Sequence, residues 1–289
     1  MPLIGEETRL ERRGLACSMY TWRPSQQQPI GLAVVLHGYA AHARYPTVLY
    51  AVEVLTGCGF AVCSFDLPGH GQSEGQRAFL PAAESVIEDC MAFVETAKSA
   101  FAGLPVLLVG SSMGGALSVQ VSLRMRVDGL VLLAPMLALS LSPVLRTLLW
   151  LLSYSPLSRL PLIASNSTSS EAQYADPERR ASCVDDPLSY HGKLHPASAS
   201  TCVELANDTR RRLAEVTVPF LLLIAGDDRV VDNAGAEELA KHAQTPEAQR
   251  SVVRYPGALH GLLCEPPQRR AAIEATIAEW ATQRVHGGV

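Results

Sequence analysis

Short apolar strands that alternate with helical patterns predict a doubly wound α/β domain on a mostly parallel sheet. Three observations carry this expectation. Apolar runs bounded by Gly or Pro recur along the chain, helical patterns fill most of the gaps between them, and one run passes directly into Gly110-Ser111-Ser112-Met113-Gly114. At 289 residues, with 48% hydrophobic and 18% charged side chains, the chain can bury one large core.

Taken in order, strands are expected at 16–22, 32–36, 60–65, 106–109, 130–133, 220–225 and 252–255. Helices are expected at 46–56, 82–100, 112–124, 234–242 and 268–284. The run after Pro105 is apolar and β-branched enough for a central parallel strand, and the helix after it carries Leu117, Val121 and Arg124 at helical spacing. Gln26-Gln27-Gln28 reads as a hairpin tip and the serine-rich 165–170 as a loop. The alternation breaks between Pro135 and Val218, where Leu, Ser, Pro and Tyr accumulate. The expected organisation is therefore a core of 1–135 and 218–289 with an insertion at 136–217 over the site. Within it, Leu139, Leu141, Val144, Leu145, Leu148, Leu149, Trp150, Leu151 and Leu152 are too apolar for a solvated helix. Such a helix faces a partner, a lipid or a membrane surface, or else is a core helix; periodicity does not choose between them.

A net charge of −4 provides no broad basic field, and Arg210-Arg211-Arg212 is a short cluster beside Asp208 and Glu215, so nucleic acid is not an expected partner. Cys17, Cys58, Cys63, Cys90, Cys183, Cys202 and Cys264 are odd in number, scattered and free of Cys-x-x-Cys spacing, which points to buried thiols in a reducing compartment. The charged start of the chain lacks the apolar run of a secretion signal, so a cytoplasmic location is expected. The uncharged stretch 129–145 is interrupted by Pro135 and Pro143 and closed by Arg146 before it reaches membrane-spanning length.

Gly-x-Ser-x-Gly between a strand and a helix is the pattern of a serine nucleophile elbow, with Ser112 as the nucleophile. Gly110 and Gly114 remove a Cβ on each side of a sharp reversal, and only Ser112, not Ser111, has glycines at both −2 and +2. A serine hydroxyl needs a base, and the base needs a carboxylate to fix its tautomer. Gly226-Asp227-Asp228 follows a strand, where open α/β sheets place their sites, and makes Asp228 the preferred acid. Asp227, as a turn residue, and Asp232, as a helix cap, are the alternatives. His260, in the loop after the last strand, is the expected base, and His37 more naturally braces its own loop. The backbone amides of Tyr39 and Met113 are the expected oxyanion donors.

These residues resemble the monoacylglycerol lipase and lysophospholipase branch of the α/β-hydrolases, including plant-type members such as caffeoylshikimate esterase. The resemblance rests on His37-Gly38, on 66–75 (Asp66-Leu67-Pro68-Gly69-His70-Gly71-Gln72-Ser73-Glu74-Gly75), on 110–115, on Asp186-Pro187-Leu188, on Val218-Pro219-Phe220-Leu221, on Gly226-Asp227-Asp228 and on 255–260. It implies an α/β-hydrolase fold with a helical lid, Ser112, Asp228 and His260 as catalytic residues, and Tyr39 and Met113 as oxyanion donors. It also implies that 66–75 is structural, so that His70 takes no part in catalysis, and that Arg44 is a basic residue near the pocket. The chain departs from its relatives at Ser111, where they carry His or Glu, and at Ala41, where animal monoacylglycerol lipases carry Glu. Both departures concern glycerol recognition rather than ester cleavage.

The expected function is a serine hydrolase acting on a lipid ester, a monoacylglycerol or lysophospholipid, without metal or organic cofactor. Leu148, Leu149 and Leu152 are expected to line the acyl site, and the lid is expected to give peripheral membrane contact. A phenolic or shikimate-type esterase, using His191, Lys193 and His195 toward a polar alcohol, is the alternative enzyme. A non-catalytic receptor is the alternative from another class.

Overall fold

The computed structural model describes residues 5–25 and 28–286. Its strands are β1 (Glu6–Arg12), β2 (Leu15–Trp22), β3 (Gly31–Leu36), β4 (Phe60–Phe65), β5 (Val106–Ser111), β6 (Gly129–Leu133), β7 (Phe220–Ala225) and β8 (Arg250–Tyr255). The helices are α1 (Pro46–Gly57), α2 (Ala83–Ala100), α3 (Met113–Ser122), α4 (Pro143–Ser153), α5 (Ser170–Gln173), α6 (Pro177–Val184), α7 (Pro196–Arg211), α8 (Ala234–His242) and α9 (Pro267–His286). One sheet runs β1-β2-β4-β3-β5-β6-β7-β8. All neighbours from β4 to β8 are parallel, while β2 pairs antiparallel with β4 and with β1. The expected α/β-hydrolase fold is the one observed.

The central strands read as unbroken apolar runs because helices cover both their faces: every residue of β3, β4, β6 and β7 is buried. On one face Phe93 of α2, Leu117 of α3, Leu205 of α7 and Leu239 of α8 share a core with Leu108 and Leu222. On the other, Val52 and Leu55 of α1 and Ile273 and Ile277 of α9 pack with Val109 and Leu221. The edge strand β8 alternates between half-buried and exposed positions over Val252–Tyr255, as a strand with one covered side does.

Strand β1 has no counterpart in the sequence expectation. Its residues are mostly charged and exposed, so it lacks the apolar signature. Arg13 and Gly14, both at positive φ (50° and 74°), turn it back onto β2 in the geometry that tight hairpins favour. The hairpin expected at Gln26-Gln27-Gln28 is a correction. β4 lies between β2 and β3, so the connection joins strands that are not neighbours; Gln26 and Gln27 themselves lie outside the described residues.

Between β6 and β7 the chain forms α4 to α7. Ser142 caps α4 by accepting the Leu145 amide, and Pro143 occupies its first turn. Helix α7 packs on α2 and α3, which buries Ala199, Leu205 and Ala206 in the main core. Helix α4 rests on α7, yet Leu149 is its one buried residue among those described. Val144 is 80% exposed and Trp150 and Leu151 are each 55% exposed, so α4 is not a core helix. No helix among the described residues is long and apolar enough to cross a membrane.

The loops after β3 and β4 brace one another beside the carboxyl ends of the strands. Asp66 accepts the Ala43 amide on one oxygen and the Gln72 amide on the other, each at 2.7 Å. His37 accepts the Leu67 amide on Nε2 at 3.2 Å, which leaves the proton on Nδ1 to donate to the Gly38 carbonyl at 2.7 Å. Burial holds His37 well below the usual histidine value, and the neighbouring His70 lowers it further. Burial also lowers His70 to about 4. Both rings are thus neutral when folded and free to protonate when unfolded, so stability falls as pH drops below about 6.5. The thermal unfolding midpoint is expected to decline steadily from about pH 6.5 to about 4, and the decline is expected to be shallower in His70→Gln. An equal pH slope in that variant would assign the decline to other groups.

Candidate active site

The sharpest turn in the fold lies between β5 and α3. Ser112 sits there at φ 55° and ψ −122°, a backbone conformation that costs free energy in a residue with a side chain. The turn is too tight for side chains around it. A Cβ on Gly114 would fall 1.9 Å from the Leu36 carbonyl oxygen, and one on Gly110 would fall 2.2 Å from the Gly114 oxygen. The Ser112 carbonyl accepts the Gly115, Ala116 and Met136 amides. The Met113 amide, first in α3, has no acceptor within the helix and is left at the serine. A Cβ on Gly38 would lie 3.5 Å from Ser112 Cβ, so the chain at Gly38 and Tyr39 runs alongside the serine. The Tyr39 hydroxyl anchors that loop by donating to the Ala78 carbonyl at 2.8 Å.

At the ends of β7 and β8 the structure brings Asp228 and His260 together, with Asp228 Oδ2 and His260 Nδ1 2.7 Å apart and both side chains buried. The second oxygen of Asp228 accepts the Val230 and Val231 amides at 2.8 and 3.0 Å. Burial pushes the Asp228 carboxyl up, but the His260 hydrogen bond and charge, with those two amides, outweigh it and hold it below the usual aspartate value. A carboxylate on Nδ1 fixes the tautomer that turns a free Nε2 outward. The alternatives lie elsewhere. Asp227 is exposed, and Asp232 accepts the Ser140 hydroxyl and the Ala234 amide at the start of α8.

Ser112, Tyr39 and Ser167 are shared by two cavities. One, of about 160 Å³, is walled by Leu139, Leu141, Leu145, Leu149, Ile163 and Leu194, with Met136 and Val231 beneath. The other, of about 70 Å³, holds His260 and Ser111, with a rim of Thr168, Gln173, Ser189, Tyr190 and His191. Leu149 lines the first of these cavities, and two of its neighbours are corrections. Leu148 is 48% exposed, turned about 100° around the helix from Leu149. Leu152 lies one turn beyond Leu149, roughly 4.5 Å along the axis, and the lining from α4 ends at Leu149. Arg44 is also a correction: its guanidinium stacks on the Tyr20 ring at 4.9 Å and lines neither cavity. Of His191, Lys193 and His195, only His191 lines either cavity. His70 lines neither.

Two contributors escaped sequence reasoning. Glu265, 0% exposed, accepts the Leu259 amide at 2.8 Å and pairs with Arg269, which fixes the backbone one residue before His260. A lone carboxylate after Leu262-Leu263-Cys264 was the available signal. His42 and Asp186 lie 2.9 Å apart, and Asp186 also accepts the Leu188 and Ser189 amides, which ties the cavity rim to the loop of Tyr39. Nothing in the spacing of residues 42 and 186 announces that pair.

The model of the family described as serine aminopeptidase, S33, matches residues 27–267. The chain is 30% identical to a monoacylglycerol lipase of Mycolicibacterium smegmatis, over 88% of this chain and 89% of the relative. It is 29% identical to the monoglyceride lipase of Homo sapiens, over 91% of this chain and 86% of the relative. A soluble variant of monoglyceride lipase from Saccharomyces cerevisiae, solved with a substrate analogue, superposes with a TM-score of 0.84 at 17% identity, covering 97% of this chain and 96% of that one. At that identity the likeness speaks to the fold.

The turn at Ser112 leaves no slack for Gly114. Gly114→Ala meets backbone rather than a movable side chain and is expected to lose about 3 kcal/mol or more in urea unfolding. Gly57→Ala, with no atom within 4 Å of the added Cβ, is expected to change stability by less than about 1 kcal/mol.

Proposed function

As a member of the serine aminopeptidase S33 family, in the branch that holds the monoacylglycerol lipases, this chain is a carboxylic ester hydrolase, and we propose that it cleaves lipid esters through an acyl-enzyme on Ser112. The observation that carries the reading is the buried Asp228–His260 hydrogen bond, which opens onto the same cavity as the strained Ser112. In this mechanism His260 Nε2 takes the proton from Ser112 Oγ as the oxygen attacks the ester carbonyl. Asp228 stabilises the imidazolium that forms. The Tyr39 and Met113 amides receive the developing oxyanion, donors of a kind whose single loss costs about 3–4 kcal/mol. His260 then protonates the departing alcohol and activates the water that frees the acid.

The apolar cavity suits an acyl chain, which gains about 0.8 kcal/mol per buried methylene. The other cavity suits the alcohol, because His260 lines it and must reach the leaving oxygen. It is lined by no Asp, Glu, Lys or Arg among the described residues. A phosphodiester would be desolvated there without a countercharge, so a monoacylglycerol is favoured over a lysophospholipid. We assign 136–217 as the lid over the core of 1–135 and 218–289, since it supplies the wall of the acyl cavity from Met136 to Val203. The face of α4 opposite that wall exposes Val144, Trp150 and Leu151, which suits contact with the lipid surface that holds the substrate.

Wild type is expected to react with a fluorophosphonate probe and Ser112→Ala is not; equal labelling of both would remove the nucleophile assignment. Activity on p-nitrophenyl esters is expected to rise from acetate to octanoate, and a flat series would count against the acyl cavity. Trp150→Glu is expected to weaken sedimentation with neutral phosphatidylcholine vesicles while the Tm stays near that of the wild type.

A further inference from the structure

Ser112 lies between two cavities whose linings draw on different parts of the core. The acyl cavity draws its walls from the core that includes Leu149, Leu194 and Ala199. The alcohol-side cavity draws its floor from the other core, with Val35, Val109 and Leu133 contributed by the sheet and Val48 and Ala51 by α1. The lid contributes Thr168, Gln173, Ser189 and Tyr190 to its lining, and α1 contributes Thr47 beside the apolar Val48 and Ala51, which together with the sheet residues form an apolar wall. Ser111, the last residue of β5, lines the same space and has only a hydroxymethyl group to fill it.

A small polyol such as glycerol brings little apolar surface to set against this wall. We propose that the site accepts esters of uncharged alcohols that carry an apolar group, and that Ser111 and Ala51 set the size of that group. The inference rests on the reading of Ser112 and His260 given above, since the alcohol side is defined by His260. An alkyl or aryl group on the alcohol enters past Ser111 and contacts Val48, Val109 and Leu133. The ester oxygen stays at His260, and the acyl chain stays on the Leu149 side. A leucine at 111 or at 51 would occupy the recess from one wall or the other.

The test holds the acyl group constant as octanoate and varies the alcohol. In wild type, kcat/KM for benzyl octanoate is expected to exceed that for methyl octanoate by about tenfold or more, the scale on which an apolar pocket discriminates. Ser111→Leu and, independently, Ala51→Leu are expected to lower the benzyl-to-methyl ratio by about tenfold. Because the readout is a ratio within each variant, a general loss of active protein does not imitate it, and two opposed walls guard against one variant failing to fold. A wild type that reacts with the fluorophosphonate probe but shows no benzyl preference, or variants that keep it, would overturn the inference alone. Variants that instead change the acyl-length dependence of methyl esters would also overturn it, by placing the acyl chain in this recess. A wild type that escapes the probe and cleaves none of the esters would overturn both this inference and the ester reading beneath it.

Discussion

The structure depends on one contact distance, the approach of α3 to the end of β3. With a hydrogen at Gly114 the helix can begin directly against the Leu36 carbonyl, and the turn that precedes it closes. That closure forces Ser112 into its strained backbone and presents its side chain above the sheet. It also leaves the Met113 amide at the start of a helix, without an internal acceptor. A nucleophile position and a hydrogen-bond donor thus arise from one backbone reversal. The cost of the strain is offset by the packed core beneath, where Leu108, Leu117 and Leu132 are fully buried.

The parallel sheet then gathers the remaining groups. Parallel strands all end on the same edge, so the loops after β3, β5, β7 and β8 converge although residues 37 to 260 separate them in sequence. Their convergence is secured by backbone bonds between loops. The Asp227 amide donates to the Ala258 carbonyl at 2.9 Å, which joins the turn carrying Asp228 to the loop carrying His260. The Gly261 amide donates to the Gln173 carbonyl at 2.8 Å, which ties that same loop to the segment above it. A site held this way is positioned by many weak constraints rather than by one ion pair, and Glu265 is a buried member of that set.

Legibility in the sequence followed burial. The β3, β4 and β7 runs are apolar on both faces, so their sequences stand out, and the observed bounds fall on or within a residue of the expected ones. β1 is exposed on most of its length and pairs through its backbone, which any sequence can do, so composition hides it. In the stretch from Met136 to Thr217, short helices capped by Ser142, Ser169 and Asp176 are set by local hydrogen bonds that leave little periodicity to read. The cavity residues show the same division. Leu149 and Leu148 are equivalent in the sequence, and only the packing of α4 on α7 turns one inward and leaves the other in solvent.

The sequence by itself determined the alternation of strands and helices, the glycine-flanked turn at Ser112, and the order in which Asp228 and His260 follow it. These are local properties: an apolar run, a missing Cβ, a residue at the end of a strand. Tertiary structure alone decided that Asp228 rather than Asp227 or Asp232 meets His260, because the choice depends on how two loops from separate strands face each other across about 2.7 Å. It alone set Arg44 against Tyr20 and out of the lining of both cavities, and it alone divided the space beside Ser112 into two differently lined halves. Those outcomes belong to contacts between residues far apart in the chain, and no spacing within the chain encodes them.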